Sequence, residues 1–254
     1  MIYLKNTQQI DKIRRSGQLA SRCLDLIETH LKPGITTAEL DKIIAVFIKK
    51  NGAKAATLGY KGGGGAPPFP GSSCISINDQ VVHGIPGPMT IKDGDLVKID
   101  VTTILDGFFG DTARTFMVGQ VPKVGVELCQ ATQKSMMLGI EQVKAGARLG
   151  DIGHAIQTYV EAKGFSVVRA FVGHGVGIKF HELPNVPHHG SPGTGYRLKS
   201  GMVFTIEPMI NAGNYEVEYL NDGWTVVTAD GSLSAQFEHT VAVVGSSYEI
   251  LTLS

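Results

Sequence analysis

A chain of 254 residues, of which 43% are hydrophobic, is long enough to bury a large core in one domain or two small ones. Lysine plus arginine and aspartate plus glutamate both number 23, so the zero net charge gives no indication of binding to nucleic acid or an anionic membrane. The 3 scattered cysteines form no CxxC pair, which argues against a disulfide framework and a thiolate zinc site. No apolar run reaches the roughly 18 residues of a membrane span, so we expect a cytoplasmic protein.

Two helices are predicted at the start of the chain. Apolar residues recur at mostly helical spacing over 7–31, and a Pro-Gly pair ends this pattern. Thr36 and Glu39 form a capping-box pattern that opens the second helix. The glycine- and proline-rich stretch 61–71 then predicts a loop that can shape the edge of a pocket.

A β-hairpin is predicted over 98–116. Two runs rich in β-branched and aromatic residues flank Asp106-Gly107, a dipeptide that readily adopts the positive φ angles of a tight turn. This turn fixes three facing pairs, which are Leu105 with Phe108, Asp100 with Ala113, and Thr102 with Asp111. Because side chains alternate faces along a strand, Asp100 and Asp111 become diagonal neighbours on one face.

The proximity of these two carboxylates needs an explanation. Two like charges in an apolar ribbon repel each other unless a cation lies between them or one of them is protonated. A divalent metal ion is the simplest remedy, and the alternative is a pair of solvated aspartates on strands.

The second part of the chain repeats the first. The segment 143–164 matches 31–52 at a constant offset, and glycines flank the helix in both copies. Chance matching of apolar helix positions is common, but the shared glycines favour an internal duplication with halves of about 1–120 and 121–254.

The remaining elements complete an α+β pattern. Another helix is predicted over 124–143, and strands are predicted at 74–77, 80–83, 166–170, 201–210, 224–228 and 235–244. Helices over an antiparallel sheet in two pseudo-symmetric halves predict a single domain over 1–254, with a site where the halves meet.

Polar residues with metal-binding chemistry interrupt the apolar strands of the second half. Glu207 ends one such run, Glu238 lies in another, and His174 lies between two glycines that let the backbone approach a ligand closely. Taken singly, a strand glutamate is more often solvated and a histidine more often a core residue with a satisfied hydrogen bond.

Together with Asp100 and Asp111, these three residues resemble the five-ligand set of the dinuclear metalloaminopeptidases. Over nearly the whole chain the sequence is similar to the bacterial type I methionine aminopeptidases of the M24 metallopeptidase family. Seven motifs carry the resemblance, in the order Val82-His83-Gly84-Ile85-Pro86, Lys98-Ile99-Asp100-Val101, Gly110-Asp111-Thr112-Ala113-Arg114-Thr115-Phe116, Gly173-His174-Gly175-Val176-Gly177, Phe180-His181-Glu182, Phe204-Thr205-Ile206-Glu207-Pro208 and Gln236-Phe237-Glu238-His239-Thr240.

The resemblance implies the pita-bread (creatinase/aminopeptidase) fold and hydrolysis of the initiator methionine from nascent proteins and peptides with a small second residue. It implies two divalent metal ions per chain, of cobalt, manganese, iron or zinc, with a bridging hydroxide between them. Asp100 would bind one ion in a bidentate manner, Asp111 and Glu238 would bridge both, and His174 and Glu207 would complete one of them. A monovalent cation, held by backbone carbonyls near Asn78 and Ser234, is also implied.

The resemblance also implies roles in catalysis and substrate binding. His181 would contact the substrate carbonyl and the developing oxyanion, His83 would contact the scissile amide nitrogen, and Glu207 would shuttle a proton. An apolar, polarisable slot for methionine would be lined by Tyr60, Phe69, Cys74, Phe180 and Trp224, with Thr57 nearby, although these residues are otherwise ordinary core candidates.

Several points stay open. We expect a monomer that acts on the N-termini of nascent polypeptides and associates with the ribosome at most transiently. The segment 214–219 is acidic where many bacterial relatives are basic, which argues against ribosome docking through this loop. The insertion 62–68 lengthens the loop before Phe69 and leaves the pocket wall there undefined. The rival functions are a proline-specific peptidase, which usually has an extra N-terminal domain, and a non-catalytic binding protein, which would have lost metal ligands.

Overall fold

The computed structural model describes residues 1–62 and 65–254. Within these residues the helices are α1 (Thr7–His30), α2 (Thr37–Lys50), α3 (Lys123–Ile140) and α4 (Leu149–Glu161). The strands are β1 (Lys54–Ala55), β2 (Cys74–Ile77), β3 (Gln80–Val82), β4 (Leu96–Leu105), β5 (Phe108–Met117), β6 (Ser166–Val167), β7 (Gly173–Gly175), β8 (Glu182–Val186), β9 (Val203–Ile206), β10 (Met209–Asn211), β11 (Val217–Tyr219), β12 (Val226–Thr228), β13 (Ser234–Gln236), β14 (His239–Val244) and β15 (Ser247–Ile250). In the described part of the chain, no helix has the length and apolar character needed to span a bilayer.

The hairpin of β4 and β5 has the predicted register. Asp100 pairs with Ala113, and Thr102 pairs with Asp111. Asp106 and Gly107 have φ angles of 51° and 79°, as a two-residue turn with positive φ at both positions requires. The prediction that a tight turn at this dipeptide sets the facing pairs is confirmed, and β1 and β2 complete the sheet along β4.

The first two helices cover this sheet. Both helices begin with a capping box in the structure. In the second helix, the side chains of Thr36 and Glu39 each accept a hydrogen bond from the backbone N–H of the other residue. The apolar faces of α1 and α2 form one buried cluster with β4, in which Ile27, Ile44 and Ile99 are fully buried. Burial of these faces holds the strand that carries Asp100 rigidly against two helices.

The second half follows the same order of two helices and then antiparallel strands. Helices α3 and α4 pack on a five-stranded sheet of order β15-β14-β9-β7-β8, with Met136, Ile156, Phe204 and Val241 in the shared core. Two three-stranded sheets, β13-β10-β6 and β11-β12-β3, complete the described strands. The α+β prediction is confirmed, and the origin of the halves by duplication stays a prediction.

Two predicted strands are interrupted in the structure. The run predicted at 201–210 forms β9 and β10, and the run at 235–244 is divided between β13 and β14. The breaks fall at Glu207-Pro208 and Phe237-Glu238. The apolar patterns were correct, but each run passes from one sheet into another, and Pro208 has no N–H with which to continue a ladder.

The two halves are joined along β5. Thr112 Oγ1 donates to the carbonyl oxygen of Glu238 at 2.7 Å, and the backbone N–H of Glu238 donates to Ala113 at 2.9 Å. Thr240 Oγ1 donates to the carbonyl oxygen of Asp111 at 2.8 Å. These bonds place Asp111 of the first half beside Glu238 of the second.

Candidate active site

The five predicted ligands line one cavity of about 620 Å³ between the halves. Asp100 and Asp111 come from the hairpin, His174 from β7, Glu207 from the break after β9, and Glu238 from the break before β14. Four separate stretches of chain therefore contribute to the same cluster.

The donor atoms of this cluster are close enough to share an ion. His174 Nε2 lies 3.7 Å from Asp111 Oδ2 and 3.6 Å from Glu207 Oε1. Donor atoms of Asp111, His174 and Glu238 all lie within 4.8 Å of one another. Carboxylate and imidazole donors at this separation match the chemistry of divalent transition-metal sites.

The electrostatics of the cluster favour a bound cation. Loss of hydration is the main cause that raises the pKa of Asp111 to about 7 and of Glu207 to about 8. The same loss, with the neighbouring carboxylates, raises the pKa of Asp100 and Glu238 well above their ordinary values. Among the described residues, the buried Oε1 atom of Glu238 has no hydrogen-bond partner. The residues therefore fit a divalent cation, which would bind their charged forms and satisfy this oxygen.

Neighbouring groups orient the ligands. His174 Nδ1 lies 3.0 Å from the carbonyl oxygen of Gly175, which assigns the proton to Nδ1 and leaves Nε2 free to bind a cation. Thr102 Oγ1 donates to Asp111 Oδ1 at 2.6 Å, and Thr205 Oγ1 donates to Glu207 Oε1 at 2.7 Å. Three of the five predicted ligands, His174, Asp111 and Glu207, are thus oriented by a hydrogen bond to a nearby residue.

His188 is a residue of the site that the sequence reasoning missed. The backbone N–H of Glu207 donates to His188 Nε2 at 3.0 Å, and burial lowers the pKa of this imidazole to about 3. A neutral ring therefore fixes the backbone at the strand break that carries Glu207. No motif or spacing singles out His188, because its partner is a backbone group 19 positions away along the chain.

The two predicted catalytic histidines face the cluster. The rings of His181 and His174 are 4.2 Å apart, and the hydroxyl of Tyr60 lies 2.9 Å from His181 Nδ1. Loss of hydration in the cavity, with the nearby His174, lowers the pKa of His181, which lies at the exposed mouth. Burial lowers the pKa of His83 to about 4, and its ring meets Phe171 edge-on at 5.5 Å. Both imidazoles are neutral at pH values near 7.

The predicted slot residues line the same cavity. Tyr60 lies 5.0 Å from Phe180 and 6.3 Å from Trp224 between ring centroids, and Phe69 lies 5.2 Å from Trp224. Cys74 and Thr57 complete this wall. The result is a pocket rich in aromatic rings directly beside the cluster of ligands.

The insertion 62–68 is described only in part, because residues 63–64 lie outside the described residues. Its final part contacts the slot: Trp224 Nε1 donates to the carbonyl oxygen of Pro67 at 2.8 Å. A Cβ atom at Gly62 would lie 2.7 Å from the Trp224 ring, so glycine is needed at this contact. The described ends of the insertion therefore hold the tryptophan in place, and Gly62 itself lines the cavity.

The fold and the cluster of carboxylate and imidazole groups are those expected of a metallopeptidase. A model of metallopeptidase family M24 matches residues 11–244, and the chain belongs to this family. Within the family it is an enzyme of the methionyl aminopeptidase class, a metal-dependent hydrolase that acts on the N-termini of polypeptides. This assignment confirms the resemblance drawn from the motifs.

Individual relatives support the assignment. Methionine aminopeptidase B of Synechocystis sp. is 52% identical over 254 residues, which cover 100% of this chain and 92% of the relative. The crystal structure of methionine aminopeptidase from Rickettsia prowazekii has a TM-score of 0.96 at 50% identity, with 100% of both chains covered. Prolidase from Pyrococcus furiosus has a TM-score of 0.78 at 21% identity over 99% of this chain and 65% of its own, which shows the shared pita-bread fold alone.

Proposed function

We propose that this chain removes methionine from polypeptides whose second residue is small, with two divalent cations held between its halves. The observation that carries the proposal is one cavity of about 620 Å³, lined by five ligating side chains, two histidines and an aromatic slot. Each group needed for peptide hydrolysis has a candidate within that cavity.

The ligand roles follow the chemistry of the donor set. Asp100, Asp111, His174, Glu207 and Glu238 would hold the two cations, with Asp111 and Glu238 shared between them. When bound, such a pair of cations supplies hydroxide at neutral pH and polarises the scissile carbonyl. Donor atoms of Asp111, His174 and Glu238 lie within 4.8 Å of one another, which supports a shared cation among these three residues.

His181 would stabilise the oxyanion. If the Tyr60 hydroxyl donates to Nδ1 across the 2.9 Å contact, the proton of the neutral ring resides on Nε2. Nε2–H is then a directed donor for the negative charge that develops on the substrate carbonyl oxygen. Tyr60 would thus set the tautomer of His181 as well as line the slot.

His83 and Glu207 would bind and protonate the leaving amine. As a neutral imidazole packed against Phe171, His83 can donate to or accept from the scissile amide nitrogen. Thr205 Oγ1 donates to Glu207 Oε1 at 2.7 Å and fixes the orientation of this carboxylate. Glu207 would carry a proton from the nucleophile to the amine.

The slot and the outer rings would set specificity. The rings around Trp224 offer a polarisable surface to the methionine thioether. The rings of His83, Phe171 and Tyr219 form a continuous row with centroid separations of 5.5 and 6.1 Å. A second residue placed against this row would have to be small, so Met-Ala, Met-Gly and Met-Ser ends are the preferred substrates over Met-Lys.

We expect the active unit to be a monomer. Glu216 directly precedes β11 and Glu218 lies within it, and both side chains are exposed. A transient contact with the polyanionic ribosome would therefore use another face of the molecule.

Release of methionine from Met-Ala-Ser, with and without chelator, tests the proposal. We expect chelator-sensitive release that Asp111→Asn abolishes and that Asp25→Asn leaves intact, because Asp25 only pairs with Arg114 at the surface. Preferential cleavage of Met-Pro and Ala-Pro would instead indicate a proline-specific peptidase. Binding of Met-Ala-Ser without turnover in metal-loaded protein would indicate a binding protein.

A further inference from the structure

Lys98 is an unusual residue for the centre of a sheet. It is 2% exposed and is among the largest fully buried side chains, two positions before Asp100 on the same face of β4. Buried lysines are rare unless their ammonium group is paired. The partners of this group therefore indicate why a lysine occupies the position.

Both acceptors of the ammonium group are backbone carbonyl oxygens. Nζ donates to Asn78 at 2.8 Å and to Ser234 at 2.7 Å. Asn78 belongs to the turn between β2 and β3, whereas Ser234 begins β13 in the other half. Carbonyl oxygens arranged around one point are the usual ligands of monovalent metal ions, so Nζ lies where such an ion would bind.

The carbonyl pair is held in place independently of the lysine. Asn78 has a φ angle of 52°, its Oδ1 accepts from the backbone N–H of Leu96 at 3.0 Å, and its Nδ2 donates to Asp95 at 2.9 Å. The backbone N–H of Ser234 donates to the Asn78 carbonyl at 3.0 Å. The acceptors are therefore preorganised and lie in a buried region that one compact cation can fill.

We propose that the ammonium group of Lys98 is a built-in cation that replaces a bound Na⁺ or K⁺ ion at the junction of the halves. The lysine joins the strand that carries Asp100 to the strand that leads to Glu238. A separate monovalent cation, which the resemblance implied near Asn78 and Ser234, does not fit beside Nζ on the same two oxygens. The inference does not depend on the proposed reaction.

The two carbonyl dipoles favour the charged form of Lys98, because each directs its negative end at the ammonium group. These contacts are consistent with a cation at this position.

Thermal unfolding of the metal-loaded protein in different salts tests the proposal. We compare NaCl, KCl and tetramethylammonium chloride at equal ionic strength, because tetramethylammonium is too large for the site. Wild type should melt at the same temperature in all three salts. Lys98→Ala should melt about 5–10 °C lower in tetramethylammonium, and Na⁺ or K⁺ should restore roughly half of the loss or more in a saturable manner.

Two further variants act as controls. Lys98→Met keeps an unbranched side chain as far as Cε and places an apolar methyl group next to the two carbonyl oxygens, which disfavours an ion there, so its melting temperature should fall and stay low in every salt. Lys54→Met removes an exposed lysine from β1 of the same sheet and should melt like wild type in every salt.

Two results would overturn the proposal. The first is saturable stabilisation of wild type by Na⁺ or K⁺ over tetramethylammonium, which would mean that an ion binds in spite of Lys98. The second is a Lys98→Ala variant that responds to these ions no more than wild type does. If Lys98→Ala does not fold, Lys98→Asn replaces it in the comparison. The wild-type result does not depend on any variant, because saturable stabilisation of wild type by Na⁺ or K⁺ is sufficient to overturn the proposal.

Discussion

The ion pair between Lys5 and Glu182 provides a quantitative test of how the loop around His181 is held. The two charged atoms are 2.7 Å apart, and both side chains are only 1% exposed. The other oxygen of Glu182 accepts the backbone N–H groups of Ile178 and Lys179, both at 2.8 Å. Lys5 therefore anchors a carboxylate that clamps the loop 177–182, so we choose Lys5→Met as the perturbation.

The size of the effect follows from burial. Lys5→Met leaves Glu182 buried without its counter-charge, which costs about 3–5 kcal/mol. For a domain of this size, that loss corresponds to a decrease of roughly 6–20 °C in melting temperature. The matched control is Arg15→Met, because the Arg15–Asp106 pair spans 3.2 Å with side chains 62% and 54% exposed. Loss of such a surface pair costs about 0–1 kcal/mol.

Urea unfolding of the metal-loaded variants measures the stability, and hydrolysis of Met-Ala-Ser measures the consequence for the site. We expect Lys5→Met to lower kcat/KM as well, because His181 loses the fixed loop that presents it. Adding Glu182→Gln should restore part of the stability by removing the uncompensated charge. Equal losses of free energy in Lys5→Met and Arg15→Met, or a loss under about 1 kcal/mol in Lys5→Met, would refute the reasoning.

Three further predictions concern the cluster and the cavity. With chelator present, the free energy of unfolding should fall as pH rises from about 5 to about 8. The reason is that the pKa values of Asp111 and Glu207 in the folded state, about 7 and about 8, exceed those in the unfolded chain. Urea titrations in which the stability rises over this pH range would contradict the prediction. Glu238→Gln should lose metal by elemental analysis, yet resist urea better than wild type in chelator at the upper pH. Phe171→Ala should raise kcat/KM for Met-Val-Ser relative to Met-Ala-Ser about tenfold in a competition assay, and an unchanged ratio would exclude Phe171 from the second-residue site.

The hairpin shows how much local sequence can predict. Asp106-Gly107 favours positive φ at two successive positions, and that alone fixes which residues face each other along the two strands. The neighbouring positions of Asp100 and Asp111 follow from the alternation of side chains. The start of the second helix was equally predictable, because a capping box is a local contact between residues three positions apart.

Contacts between distant backbone groups could not be predicted in this way. His188 supports Glu207 through a backbone N–H, and Lys98 joins two carbonyl oxygens that lie 20 and 136 positions away. Any residue offers a backbone N–H or carbonyl, so neither partner leaves a signal in the sequence. The short strand around His174 was missed for a related reason, since Gly-His-Gly has no apolar alternation.

The two wrongly joined strands explain why the glutamates lie where they do. β9 and β14 belong to the five-stranded sheet, whereas β10 and β13 belong to a three-stranded one. Glu207 and Glu238 fall at the two passages between these sheets, where the chain leaves one ladder before it enters the next. A side chain at such a passage is not packed on the face of either sheet, and it can point into the cleft that opens between them. The apolar runs form the strands, and each carboxylate lies at the end of a strand, at the boundary of the core. Because the chain changes sheets at this point, the carboxylate is available to bind a cation.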